Sequence, residues 1–304
     1  MSWVAEQSDD GSSAVQVQGN TVSCQKEGYF GGPINVMYND PAEKNGQYYW
    51  QIELPELTNE GGASVGLTTQ EHFKAGYAVK SMEYCGNLSD GSCLLVSSFG
   101  DPLRQGDKFG ILLNLTQSEM KVYFFLNDKP LGLAFHLQAP YPKPLFPIVG
   151  FTYSGKATIT RSQQIPTSLD RQAAQFTDIE GHWKLVDYPQ HSDCTGFKFH
   201  LFKQEANTFS LSTSVINHLS CKLQYDPSTN KWHHQDAIST MMGGDSESMR
   251  KEGIINHLIA HIQTIEPQGQ KLVITSTDGD KVVLERYTPD APQAHTKNVF
   301  SNED

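Results

Sequence analysis

Asn45–Leu54 reads NGQYYWQIEL, and its alternation decides the first half of the fold. Tyr48, Trp50, Ile52 and Leu54 fall on one face of a period-2 strand, with Tyr49, Gln51 and Glu53 on the other, so the first face is core and Trp50 belongs to it. The same period groups Phe109, Ile111, Leu113 and Leu115, and then Met120, Val122, Phe124 and Leu126. Turn residues at Gln117-Ser118-Glu119 join these two runs into a β-hairpin. Short alternating runs broken by Gly, Pro, Asn and Asp continue from Val22 to Ser162 without a long helical pattern. Apolar stripes of that kind are buried by packing two antiparallel sheets face to face, so residues 22–162 are expected to form a β-sandwich.

Beyond Arg161 the pattern breaks into a polar stretch, and residues 163–177 are read as a linker. Short strands are then expected at Gly181–Val186, Gly196–Phe202, Asn207–Ser212, Ser220–Asp226, Lys271–Thr275 and Lys281–Tyr287, the last two joined by a hairpin turn at Asp278-Gly279. Ile254, Ile255, Leu258, Ile259 and Ile262 recur at helical spacing after Asp245, Ser246 and Glu247, which suit a helix N-terminus. Residues 178–288 therefore read as a small α+β domain, one helix on a curved antiparallel sheet. Residues 1–21 and 289–304 are polar and are expected to be tails.

Composition narrows the function. The chain has 304 residues, comfortable for two domains, and a net charge of −11, which repels a phosphate backbone and speaks against general nucleic-acid binding. The N-terminus lacks the basic start and apolar run of an export signal, and no stretch of 18 apolar residues occurs, so no membrane association is expected. Five scattered cysteines without a CxxC pair fit a reducing, cytoplasmic setting, and on that expectation the triplets at Asn87 and Asn114 stay unglycosylated.

Several blocks carry a resemblance. NGQYYWQIEL (Asn45–Leu54), ASVGLTT (Ala63–Thr69), GDKFGILLNL (Gly106–Leu115), VYFFLNDKPLGLAFHL (Val122–Leu137) and LFPIVGF (Leu145–Phe151) occur in the order and spacing of SPRY-domain strands. Residues 22–162 resemble that family, with Asn114 standing where its strand often has Asp and Asp128 where its turn usually has Gly. The second half resembles a META domain, the fold shared by bacterial heat-shock lipoproteins and trypanosomatid META proteins. The carrying residues are IEGHWKLV (Ile179–Val186), ISTMMGGDSE (Ile238–Glu247) and QKLVITSTDGDKVVLERY (Gln270–Tyr287), while of the family's central Gly-Cys-Asn segment only Asn217 and Cys221 lie in the region. That resemblance hints at a protist source.

The SPRY resemblance implies a non-enzymatic recognition module, an adaptor whose loops at one end of the sandwich take a short segment of a partner protein. Carried over by motif, Tyr38 and Asn39 fall in the loop before the Asn45–Leu54 strand, Tyr77 and Tyr84 in two later loops, and Thr152 and Tyr153, followed by Ser154, where the family has a Val-Trp-Gly-like element. These six, Tyr38, Asn39, Tyr77, Tyr84, Thr152 and Tyr153, are the expected partner-binding residues. The other aromatics of this half, Tyr29 and Phe30 among them, read as core or rim. A structural role in a cytoskeletal or flagellar assembly and small-ligand carriage by the META-like half are the alternatives.

Catalytic and metal readings are weaker than their bland counterparts. Gly62-Ala63-Ser64-Val65-Gly66 spells a nucleophile elbow, but β-branched residues follow where a helix should begin. Ser248 and Lys251 have a β-lactamase-like spacing without its companion triplets. His257 and His261 lie one helical turn apart, and His233-His234 could join them, yet no Cys pair or intervening Glu supports zinc. Asp278-Gly279-Asp280 lacks the further oxygen ligands of a calcium loop and reads as a turn. No cofactor and no metal is expected.

Overall fold

The computed structural model describes residues 2–6, 13–26, 32–171, 178–239 and 243–301. The chain divides into two units, one of residues 1–172 with 291–304, the other of residues 173–290.

The first unit contains strands β1 (Trp3–Glu6), β2 (Ser13–Gln18), β3 (Thr21–Lys26), β4 (Ile34–Tyr38), β5 (Gly46–Leu57), β6 (Ala63–Thr68), β7 (Ser81–Tyr84), β8 (Leu88–Ser89), β9 (Leu94–Val96), β10 (Lys108–Leu115), β11 (Glu119–Leu126), β12 (Lys129–Gln138), β13 (Phe146–Phe151) and β14 (Gly155–Arg161). They form two seven-stranded sheets, ordered β1-β4-β13-β6-β7-β8-β9 and β12-β11-β10-β5-β14-β3-β2, all of whose neighbours pair antiparallel. The expected period-2 face is the core: Trp50, Ile52 and Leu54 meet Ile111, Leu113, Val122 and Phe124 with no exposure. The hairpin pairs Leu115 with Met120 and is closed by Thr116 N–H donating to the Glu119 carbonyl. At the next turn Asn127 and Asp128 both take positive φ, +53° and +62°, so the departure from glycine at Asp128 leaves a two-residue turn intact.

Both ends differ from the expected tails, because each carries apolar side chains that the sandwich buries. Trp3 packs edge-on against Tyr38, ring centroids 5.1 Å apart, while β1 pairs with β4. At the other end Val299 and Phe300 join the core, and His295 bridges to Phe135 on β12. The expected linker is also partly anchored: Leu169 packs on the outer-face cluster of Tyr49, Leu112 and Phe125, and the Arg171 guanidinium donates to the Leu131 and Phe99 carbonyls. Residues 172–177 lie outside the described residues.

In the second unit, β15 (Gly181–Asp187), β16 (Lys198–Glu205), β17 (Thr208–Ser214), β18 (His218–Asp226), β19 (Lys231–Ser239), β20 (Ile262–Gln268), β21 (Lys271–Ser276) and β22 (Lys281–Arg286) make one antiparallel sheet, ordered β19-β18-β17-β16-β15-β22-β21-β20. Helix α1 (Ser246–Ala260) starts as its sequence suggests, with the Asp245 carboxylate accepting from the Glu247 and Ser248 amides. It packs Ile255, Leu258 and Ile259 onto the sheet's core around Trp183, Leu185 and Leu284. Ile262 belongs to β20 rather than to the helix. Among the described residues the arrangement is α+β with one α-helix, consistent with the reading. Of the three blocks that carry the second-half resemblance, ISTMMGGDSE is only partly described, since residues 240–242 lie outside the described residues.

Candidate functional site

The antiparallel register decides which expected site residues can act together. Phe151 pairs with Ile34 and Ile148 with Met37, so Thr152 lies beyond one end of β4 while Tyr38 closes the other. At about 3.3 Å per residue the two levels are roughly 16 Å apart. Tyr38 and Asn39 therefore belong to the opposite end of the sandwich from Thr152 and Tyr153. Tyr38 is also core, sealed by Trp3, and only Asn39 is exposed there. Burial removes Tyr84 as well: it is fully enclosed, stacks on Phe109 at 4.8 Å and donates its hydroxyl to the Asp101 carbonyl at 2.5 Å. Enclosure raises its pKa, with Asp101 adding to the effect. Neither phenol is available to a partner, because each ends a strand whose alternation points it inward.

The end that carries Thr152 and Tyr153 is tied together by backbone and lysine bonds. Thr152 N–H donates to the Gly62 carbonyl at 2.9 Å, and Ser154 joins Thr58 and Lys26 through bonds of 2.8–3.1 Å. The Lys26 ammonium donates to the Gly32 carbonyl at 2.9 Å and the Thr152 carbonyl at 3.1 Å, fastening the segment that enters β4 to the segment that leaves β13. Gly32 has to be glycine where it lies, since a Cβ there would meet the Gly76 Cα at 2.9 Å and the Tyr77 ring at 3.3 Å. Tyr77 is thus held against Gly32 and still 62 % exposed. Asn35 supports this loop from below, its side-chain amide donating to the Lys74 and Gly76 carbonyls at 2.8 Å each. On the other side Tyr153 lies over Gly62, its ring 3.1 Å from where a Cβ would stand.

Of the six expected residues, then, the structure brings Tyr77, Thr152 and Tyr153 to one end, sends Asn39 to the other and buries Tyr38 and Tyr84. Sequence reading missed Lys26, Gly32 and Asn35. The Gly31-Gly32-Pro33 run was a visible mark of close backbone approach, whereas nothing local distinguishes Lys26 from other surface lysines. Tyr29 and Phe30 lie outside the described residues. Beneath the loop Glu83 is buried, its carboxyl pushed upward by desolvation while the Ser81 and Ser64 hydroxyls hydrogen-bond to it. Ser64 sits within β6 and continues into strand, without the strand-turn-helix setting an elbow serine needs.

The second unit has an open, partly aromatic pocket lined by Ile179, Phe209, Tyr225, Trp232, Ile265 and Pro267. Trp232 anchors it, with Phe209 and Tyr225 rings at 5.1 and 5.0 Å. His233 and His234 lie on β19, and Ser248 donates its hydroxyl to the capping Asp245.

Residues 47–164 match the family model of the SPRY domain. Among solved structures the chain is similar to the SPRY domain of human HERC1, at 21 % identity and a TM-score of 0.38, over 52 % of this chain and 99 % of that one. It is similar to the TRIM65 PSpry domain at 14 % identity and 0.34, over 53 % and 92 %. It is also similar to a protein from Burkholderia xenovorans solved by NMR, at 16 % and 0.29, over 41 % and 100 %. No curated protein matches the chain. The match to the SPRY model over residues 47–164 lies wholly within the first unit, and SPRY domains in general bind protein partners.

Proposed function

We propose that the sandwich end bearing Tyr77, Thr152 and Tyr153 captures a short, extended segment of a partner protein, and that the chain works as a non-enzymatic adaptor. The observation that carries this reading is Tyr77, a large side chain left 62 % exposed on a loop that Asn35, Gly32 and Lys26 hold in place. A tyrosine fixed before binding offers wide contact area with little ordering cost and keeps a hydroxyl for the segment's backbone. The adaptor acts in a reducing, cytoplasmic setting, supported by five cysteines that are all unpaired. Its second unit is of META type, a reading that rests on the three sequence blocks and the one-helix sheet. The aromatic pocket favours a second reading for that unit, carriage of a small apolar ligand against Trp232.

The test is saturation binding of the chain to partner segments recovered by proximity labelling. Tyr77→Ala and Tyr153→Ala should each weaken capture by about tenfold or more, as expected for aromatic hot spots. Asn39→Ala, at the opposite end, should leave it unchanged. Equal binding by wild type and the Tyr77→Ala/Tyr153→Ala double variant would remove the site.

A further inference from the structure

Two signals that are weak apart in the sequence meet in the fold. His257 and His261 lie one turn apart near the C-terminal end of α1, ring centroids 4.1 Å apart and planes tilted by 30°, and the turn between β21 and β22 brings Asp278 to them. Thr277 N–H donates to the His261 carbonyl at 2.8 Å, so the turn is fastened to the end of the helix. The Ser276 hydroxyl then accepts from the Asp278 and Asp280 amides at 3.2 and 3.1 Å, which sets the turn's shape. One ligand atom from each of His257, His261 and Asp278 lies within 4.8 Å of the others. We propose that these three side chains form a binding site for a divalent transition ion of zinc type.

The protonation pattern suits that role. His261 Nδ1 faces the His257 carbonyl at 2.8 Å, and a carbonyl can only accept, so Nδ1 carries the proton and Nε2 keeps its lone pair for a metal. A second nitrogen fixed in this way is the usual support of a metal-bound histidine. His257 Nε2 and the Asp278 carboxylate stand 2.8 Å apart. Tetrahedral zinc with bonds near 2.0–2.1 Å holds its ligands about 3.3 Å apart, so this pair opens by about 0.5 Å to admit the ion. Both side chains are half exposed, 55 % and 51 %, and free to make that movement. The helix C-terminus supplies a negative potential that favours a cation. Two imidazoles and one carboxylate select zinc and its neighbours over calcium, which prefers an all-oxygen shell.

Titrating the chelator-stripped chain with Zn²⁺ by calorimetry should give one saturable site per chain, and Co²⁺ should give the absorption of a low-symmetry site. Loss of a second-shell partner costs roughly 10–100-fold in metal affinity, so Asp278→Asn, which loses a ligand, should cost at least tenfold. The double variant His257→Ala/His261→Ala should abolish the site. His257 and Asp278 are exposed and His261 is partly so, and unchanged far-ultraviolet circular dichroism and metal-free Tm will show that the variants fold. An absence of saturable binding, binding that survives the double substitution, or binding indifferent to Asp278→Asn would overturn the proposal and leave His257 and Asp278 as an ordinary ion pair.

Discussion

A thiol reacts through its thiolate, so burial decides which cysteines are chemically available. Enclosure pushes the Cys24 thiol up to about 11, against a smaller opposing pull from Lys26, and the Cys221 thiol up to about 12. Cys85 and Cys194 are also raised by burial, and Cys93 alone is exposed. A disulfide-exchange reagent should therefore titrate one thiol per native chain quickly and five after denaturation, and Cys93→Ser should abolish the fast phase. Two fast thiols in the native chain would contradict this burial pattern. Single residues were unevenly legible in the sequence. Trp50 was readable as core from alternation alone, but its indole bond to Asp40 at 2.9 Å, with Arg161 holding the other carboxylate oxygen at 2.9 Å, joins positions far apart in the chain. Tyr38 and Tyr84 were misplaced because a motif locates a loop only to within a residue or two, and one residue in a strand is the difference between core and solvent.

Elements with strong period or cap chemistry were legible: the hairpin of β10 and β11, helix α1 with its Asp245 cap, and the turn before β22. The strands missed are mostly at sheet edges. β19 and β20 are the two ends of the second sheet, and there polar residues and even Pro267 are tolerated because one side of the ladder needs no partner. β1 and β2 are the corresponding edges of the sandwich. How α1 is fastened was also invisible in one dimension. Besides its apolar face, its Glu252 carboxylate accepts from the Ile216 amide at 3.0 Å, the Asn217 amide at 2.7 Å and the Asn217 side chain at 2.8 Å, gripping the turn between β17 and β18. Burial alone would raise the Glu252 pKa, but these donors outweigh it and hold the carboxyl below its ordinary value. Glu252→Ala strips the partner from two backbone donors at once and should cost the second unit about 2 kcal/mol in denaturant unfolding. A loss within error would mean that water replaces the carboxylate without penalty.

At the scale of the molecule the two-part organisation and the sandwich were readable from the change in patterning near Arg161, while the path of the chain was not. Val299 and Phe300 are two apolar residues in a polar stretch, too few to announce that residues 291–301 rejoin the first unit. There His295 exchanges backbone bonds of 2.8 and 2.9 Å with Ala134 and His136, and its ring lies edge-on to Phe135. Burial lowers its pKa, Lys297 lowers it further, and Asp90 pulls weakly the other way. A histidine held neutral in the fold but free to protonate when unfolded costs nothing above its ordinary pKa near 6.5, and the fold loses stability as pH falls through that value. Tm of the wild type should therefore fall between pH 7.5 and 5.5 more steeply than that of His295→Gln, and parallel pH profiles would exclude the effect.

Because residues 295–301 add to a sandwich whose first strand begins at Trp3, the first unit needs both the earliest and the latest residues to be made. The inserted unit has all its strands once Arg286 has been made, and it can consolidate on the ribosome while its host still waits for Val299 and Phe300. A nascent chain stalled before His295 would then carry a folded second unit while the first still lacks its closing residues.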